Sequence, residues 1–143
     1  HKSGEIYVGT FKHGVQEGKG VQTKPNGDKY DGDWKSGYPE GKGKMTWANG
    51  TKYEGELKKG EREGKGTQTY DDGREYKGNW KNDLRDGRGV ETHPGGTRFR
   101  GRFSNDEFCG GLFENKGKEY WVGCEPNEQV FEYDDEQEPF EGF

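Results

Sequence analysis

The chain has 143 residues and a formal charge of −5, and only 24% of its residues are hydrophobic against 36% charged and 27 glycines. Low hydrophobicity with high charge is the composition of disorder, but an aromatic content of 14% argues for a folded chain whose burial rests on Tyr, Trp and Phe. A thick two-layer core is not expected, and no apolar run approaches the roughly 20 residues a membrane-spanning helix requires.

Taken from its start, the chain shows no signal peptide. It begins at His1 rather than Met, which leaves room for a removed segment. Gly4 precedes Tyr7 by the three residues that separate Gly27 from Tyr30. The chain is therefore expected to open on the end of an earlier repeat, either cut from a longer array or acting as a half-repeat cap. From Tyr7 a 23-residue period is plain: Tyr7, Tyr30, Tyr53, Tyr76 and Phe99 lead five units. Glycine follows each at +2 (Gly9, Gly32, Gly55, Gly78, Gly101), and a large apolar residue at +4 (Phe11, Trp34, Leu57, Trp80, Phe103). Glycine returns at +11 (Gly18, Gly41, Gly64, Gly87, Gly110), at +13 (Gly20, Gly43, Gly66, Gly89, where Leu112 breaks the series) and at +20 (Gly27, Gly50, Gly73, Gly96).

Each unit reads as a β-hairpin. Asn26-Gly27, Asn49-Gly50 and Asp72-Gly73 are signals for two-residue hairpin turns. A second turn lies between +5 and +11, where Gly14, Gly37, Gly60, Asp83 and Asp106 at +7 mark a left-handed backbone position. Two turns leave strands of about six residues, and turns this short permit only antiparallel pairing. The expected fold is all-β: an elongated, open antiparallel meander of repeated 23-residue β-hairpins with one aromatic-lined face. About ten strands at roughly 4.8 Å each would make it about 45–50 Å long.

Alternation assigns the faces. In unit two, Tyr30, Gly32, Trp34, Gly41, Gly43, Met45 and Trp47 point one way; Asp31, Asp33, Lys35, Lys42, Lys44 and Thr46 point the other. Glycine inside a strand implies close approach, so the glycines are expected to form beds for neighbouring rings. A threonine column (Thr23, Thr46, Thr69, Thr92) suits cross-strand contacts on the polar face. Three leucines are too few for a leucine-rich repeat.

The run YDGDWKSGYPEGKG at residues 30–43 resembles the MORN (membrane occupation and recognition nexus) repeat, and the likeness covers residues 4–110. It implies a twisted sheet with a grooved aromatic face. It also implies roles in protein–protein contact, cytoskeletal and ciliary scaffolding, membrane binding and regulation of attached enzymes. Residues 99–124 depart from the pattern: unit five is two residues short before Gly117-Lys118-Glu119-Tyr120, as suits a capping repeat. The stretch Val122-Gly123-Cys124-Glu125 and the acidic tail after it resemble the end of the array in radial spoke head proteins of cilia. The expected organisation is an array over residues 1–124 and an acidic, aromatic tail over 125–143.

Catalysis is not expected. His93 shares the +17 column with Trp47 and Tyr70 and reads as an aromatic replacement, His13 sits beside a turn glycine, and His1 is terminal. No serine falls near a histidine in the repeat register, so nothing assembles a nucleophile and base. Acids recur at +10 (Glu17, Glu40, Glu63, Asp86), two places from Lys19, Lys42, Lys65 and Arg88. Equivalent positions two strands apart, roughly 9–10 Å, are too distant to share a cation, so solvated ion-pair rows are expected. The Gly-Lys-Gly triplets lack the spacing of a phosphate loop. Cys109 and Cys124 lack C-x-x-C spacing, so neither zinc nor a disulfide framework is expected, and both read as reduced thiols in an intracellular protein. No cofactor or metal is implied.

Residues 125–143 hold eight acids and no bases, leaving 20 acids and 23 bases, a formal +3, in residues 1–124. Mixed charge argues against nucleic-acid binding, which needs clustered Lys and Arg. The lysine column at +5 (Lys12, Lys35, Lys58, Lys81) leaves room for weak contact with anionic lipid. The expected function is a non-catalytic scaffold or adaptor binding a protein or peptide through Tyr7, Phe11, Tyr30, Trp34, Trp47, Tyr53, Tyr70, Tyr76, Trp80 and Phe99. The resemblance implies a cytoplasmic setting in a cytoskeletal or ciliary, radial-spoke-like assembly. The competing reading is a phospholipid-recruiting regulatory module of a larger enzyme such as a lipid kinase. The tail, with Val130, Phe131, Tyr133, Phe140 and Phe143, reads either as a disordered linker to a next domain or as a segment that docks on an aromatic groove, its own or a second copy's, the latter driving self-association.

Overall fold

A computed structural model describes residues 4–123 and the backbone of residues 131–132. The strands are β1 (Ile6–Lys12), β2 (Val15–Thr23), β3 (Lys29–Lys35), β4 (Tyr38–Thr46), β5 (Lys52–Lys58) and β6 (Glu61–Thr69). They continue as β7 (Glu75–Lys81), β8 (Leu84–Thr92), β9 (Arg98–Ser104), β10 (Glu107–Asn115), β11 (Lys118–Val122) and the short β12 (Phe131–Glu132). All lie in one sheet in sequence order, every neighbouring pair antiparallel. This is the open all-β meander expected from the repeat, with strands of seven and nine residues rather than six.

The two turns of each unit exchange the roles read from the sequence. The two-residue turn is at +6 and +7: His13-Gly14, Ser36-Gly37, Lys59-Gly60, Asn82-Asp83 and Asn105-Asp106 all have positive φ at both positions. That is the type I′ geometry whose twist matches the flanking strands. The Asn-Gly and Asp-Gly pairs serve a longer loop instead. In residues 24–28, Lys24 N–H donates to Asp28 O at 2.8 Å and Gly27 N–H donates to Lys24 O at 2.9 Å. Gly27 has φ +103°, so the loop is a turn closed by a left-handed glycine, with Asn26 Oδ1 accepting from Asp28 N–H at 3.0 Å. Asn49 and Asp72 accept in the same way, two residues ahead. Gly4, at φ +82°, occupies the equivalent place before unit one.

The glycine columns divide into two kinds. Those at +2 and +13 face each other across the eight ladders from β1–β2 to β8–β9, so Gly9, Gly20, Gly32, Gly43, Gly55, Gly66, Gly78, Gly89 and Gly101 form one bare row across nine strands. The leading tyrosines lie on this row. A Cβ built on Gly66 would stand 2.2 Å from Tyr53 Oη, and one on Gly43 would stand 2.3 Å from Tyr30 Oη. The glycines at +11 are bulge residues, not ring beds. In unit two, Gly32 pairs with Gly43 and Trp34 with Pro39, so Asp33 faces three residues, and Gly41 at its centre has φ +95°. Tyrosine joins the two features, because Tyr30 Oη donates to Asp33 O at 2.8 Å, Tyr53 Oη to Glu56 O at 2.7 Å and Tyr76 Oη to Asn79 O at 2.8 Å. The ring covers the glycines and its hydroxyl bonds the carbonyl at the bulge.

Successive units lock edge to face. Trp34 stands 5.1 Å from Tyr7 and 5.2 Å from Tyr30; Trp80 stands 5.5 Å from Tyr53 and 5.2 Å from Tyr76. Trp34 Nε1 donates to Gly20 O at 3.0 Å, and Trp80 Nε1 to Gly66 O at 3.2 Å. Each tryptophan thus fastens its unit to the one before. Tyr30, Trp34, Tyr53, Leu57, Tyr76, Trp80 and Phe103 form the buried core. The +10 acids also tie units together: Glu17 accepts from Ser36 N–H, Glu40 from Lys59 N–H and Glu63 from Asn82 N–H, each at 3.1 Å. They stabilise the first turn residue of the next unit, a correction to the expected row of solvated ion pairs.

Unit five loses its two residues in two places. Its bulge has one residue fewer, so Gly111 rather than Leu112 pairs with Gly101 and continues the bare row. Its second turn is the pair Lys116-Gly117 between Asn115 and Lys118, where other units have three residues between the closing pair. Cys109 occupies the +10 place and is disulfide-bonded, which corrects the expectation of two reduced thiols. The chain's other cysteine, Cys124, lies outside the described residues. So does most of the tail, and with it the boundary placed at residue 124.

Two tests follow from the core. Gly66→Ala should cost about 1–3 kcal/mol in urea unfolding, since Tyr53 must leave its bed. Gly95→Ala, where a new Cβ meets nothing within 4 Å, should stay within about 0.5 kcal/mol of the parent. Burial also pushes the phenols of Tyr30, Tyr53 and Tyr76 well above their ordinary range. Their stabilisation is complete below the unfolded value near 10 and is lost as pH rises beyond it. Stability should therefore hold to about pH 10 and then fall by up to about 1.4 kcal/mol per pH unit for each of the three; a denaturation midpoint unchanged between about pH 9.5 and 11.5 would contradict the packing.

Candidate functional site: the aromatic face

All ten candidate residues stand on one face, but their exposure differs. Tyr30, Trp34, Tyr53, Tyr76 and Trp80 are buried at 0–4% relative exposure. They are occupied by each other and by the glycine row. Tyr7, Trp47, Tyr70 and Phe99 are partly buried against this core, and Phe11 is 52% exposed. Phe11 meets Tyr7 of its own unit at 4.9 Å, whereas Trp34 meets both Tyr30 of its own unit and Tyr7 of the unit before.

The rings left accessible gather along the rim formed by the longer loops. Trp47, Tyr70 and His93 begin these loops and are pinned by the closing hydrogen bonds, Trp47 N–H to Thr51 O and Tyr70 N–H to Arg74 O at 2.8 Å, and His93 N–H to Thr97 O at 2.9 Å. Arg74 lies over Tyr70 at 4.5 Å. His93 is 5.7 Å from Phe99 and its Nε2 is 2.6 Å from Glu91, the contacts of a packed aromatic replacement. A hollow of about 220 Å³ opens beside Trp47, with Tyr30, Pro39 and Met45 as its apolar lining and Gln22, Lys24, Asp28, Lys29 and Thr46 as its polar lining. Its size suits one large side chain.

Two residues of this face escaped the sequence reading. Arg62, at +9, lies 4.4 Å over Trp80 and 5.9 Å from Trp47. Its guanidinium donates to Asp83 Oδ1 at 2.6 Å and Asp83 O at 2.7 Å, and to the buried Gln68. Arg85 repeats the arrangement one unit on, bonding Asp106 and Glu91 and lying over Tyr76 and Phe103. The signal was present in the repeats. Where +9 is Arg, the +7 turn residue of the next unit is Asp83 or Asp106; where +9 is Gln16 or Pro39, it is Gly37 or Gly60. The pair varies together because the two residues touch.

Among the described residues no group of three or more His, Cys, Asp or Glu is placed to hold a metal ion. What the arrangement offers is a ridge of anchored rings, partly covered by arginines whose charge is already paired, beside a pocket of side-chain size.

A family model described as the MORN repeat matches four consecutive stretches, residues 7–29, 30–52, 53–73 and 76–98. No curated protein matches the chain at a significant level. The four matched stretches cover units one to four and more than half of the sequence, so the chain belongs to the MORN repeat family.

Proposed function

We propose that this chain is a non-catalytic scaffold that binds a protein or peptide partner along the rim of its aromatic face. The observation that carries the reading is the division of the rings. Half of the ten candidates are spent on the fold, whereas Trp47 and Tyr70 are held by loop hydrogen bonds and only partly buried, and Trp47 lines a pocket of side-chain size. Large rigid rings of this kind carry most of the energy in protein interfaces. The family resemblance supports a cytoskeletal or ciliary assembly as the setting.

A second reading, attachment to an anionic membrane as part of a larger enzyme, has one observation behind it: Lys12, Lys35, Lys58 and Lys81 are all exposed in a single column. Each basic residue near such a surface adds about 1 kcal/mol.

Capture from the native cell type with the intact chain, followed by mass spectrometry, is the direct test. Trp47→Ala and Tyr70→Ala should each weaken retention of the specific partner about tenfold or more while costing less stability than Trp80→Ala. Trp80→Ala should cost about 3–5 kcal/mol of stability. If both rim changes leave capture intact while glutamate at the four lysines abolishes it, and the chain floats with anionic liposomes in a salt-sensitive manner, the membrane reading replaces the scaffold.

A further inference from the structure

On the polar face, two columns change sign along the array. Position +1 reads Val8, Asp31, Glu54, Lys77, Arg100; position +3 reads Thr10, Asp33, Glu56, Asn79, Arg102. In units two and three these acids answer bases on neighbouring strands. Lys19 Nζ is 2.5 Å from Asp33 and Lys44 Nζ is 3.5 Å from Glu54, while Lys42 registers on Glu56. In units four and five a base or an amide replaces each acid, and the bases of the neighbouring strands remain. Lys65 registers on Asn79, and Arg88 directly on Arg102. Among the described residues, Lys65, Lys77, Arg100 and Arg102 form no ion pair.

The geometry of the patch suits an extended anion. Lys65, Lys77 and Arg88 surround a hollow of about 540 Å³ whose floor is the bare backbone of Gly66, Gly78 and Gly89. Arg100 and Arg102 continue it on β9. Lys77, Val90, Arg100, Leu112 and Trp121 also form one cross-strand row by register, so apolar side chains alternate with the bases. A ligand with both acids and rings is therefore favoured over a plain polyanion.

We propose that this surface of units four and five is a docking site for an acidic, aromatic peptide, and that its occupant is residues 133–143 of the same chain. That segment carries Asp134, Asp135, Glu136, Glu138 and Glu141, three aromatic residues and no base. Backbone pairing of Phe131 and Glu132 with Trp121 and Tyr120 starts it at the last strand of the sheet. Eleven residues reach up to about 37 Å, whereas β7 lies about 24 Å from β12 at roughly 4.8 Å per strand. Attachment raises the local concentration to the millimolar range, so a weak contact is enough to keep the site filled. The aromatic face is the poorer host, because Arg62 and Arg85 are already bonded to Asp83 and Asp106.

Competition for the site tests this. A fluorescein-labelled peptide of residues 131–143 is titrated by fluorescence anisotropy into the intact chain and into a full-length variant whose five tail acids, Asp134 to Glu141, are changed to Asn or Gln. The neutralised-tail variant should bind the peptide about tenfold more tightly than the intact chain, and binding should weaken steeply as salt shortens the Debye length from about 10 Å to about 3 Å. Adding Lys77→Glu and Arg100→Glu to that variant should abolish binding; should that variant lose its thermal transition, Lys77→Gln with Arg100→Gln makes the same test more gently. Equal affinity of the intact and neutralised chains, or peptide binding that survives both pairs of substitutions, would overturn the assignment. So would a doubling of mass by light scattering that tail neutralisation removes, since the tail would then occupy a second copy.

Discussion

A tyrosine ring can lie against the backbone of a β-sheet only where no side chain stands beneath it. The bare glycine row meets that condition strand after strand, and the rest of the architecture follows from it. Burying rings on backbone removes apolar area from water without a second layer, which is how a chain with 24% hydrophobic residues obtains a core. The same contact sets the register. A slip of one residue would bring Lys65 or Thr67 into line with the strands where Gly66 now stands, and a slip of one residue inverts the faces of a strand. The tyrosine hydroxyl also bonds the carbonyl at each bulge, so the bulge, the glycine row and the ring form one unit. Unit five shows the coupling from the other side. Phe99 replaces the tyrosine and lacks the hydroxyl, and it is here that the bulge is one residue shorter and the row passes to Gly111.

The period, the faces and the glycine beds were legible in the sequence because they are steric requirements that recur. The two turn types were not, since Asn-Gly serves both a two-residue type I′ turn and a three-residue loop closed by a left-handed glycine. The decision rests on which flanking residues pair, and pairing is a property of the neighbouring strand. The pattern Ser36-Gly37 or Lys59-Gly60 carries a weaker local preference, yet takes the tighter turn, and a side chain outside the hairpin, Glu17 or Glu40, holds its first residue.

The candidate site was half legible for a related reason. Aromatic content and alternation identify a face, but they do not separate rings consumed by the core from rings left at its margin. Trp34 and Trp47 are both tryptophans on one face of unit two, and one is 4% exposed while the other lies at the loop rim. The distinction lies in what the adjacent unit places over each. The preceding unit sets Tyr7 against Trp34, which already packs on its own Tyr30, whereas the following unit sets Arg62 over Trp47 at 5.9 Å. The Arg–Asp alternation at +9 and +7 could have been read from the repeats as a contact, since the four pairs change together and no local reason makes them do so.

The columns that diverge are those on the polar face. Position +1 points away from the tyrosines and meets only the adjoining strands; position +3 lends its carbonyl to the tyrosine, a bond of the backbone, while its side chain, which in units two and three accepts from Lys42 or Lys65 N–H at the bulge, is free to vary. In units two and three they hold acids that neutralise the neighbouring lysines; in units four and five they hold bases or an amide. Charge balance on the first stretch is the ordinary condition of an antiparallel sheet, where opposite charges are placed across a ladder. Its abandonment over two consecutive units, in both columns at once, raises the repulsion within the sheet and is tolerated because the rings and glycines hold the register independently of the surface. A repeat scaffold built in this way can therefore carry distinct surfaces on its two sides, one defined by rings at the loop rim and one by charge, without either altering the fold that supports them.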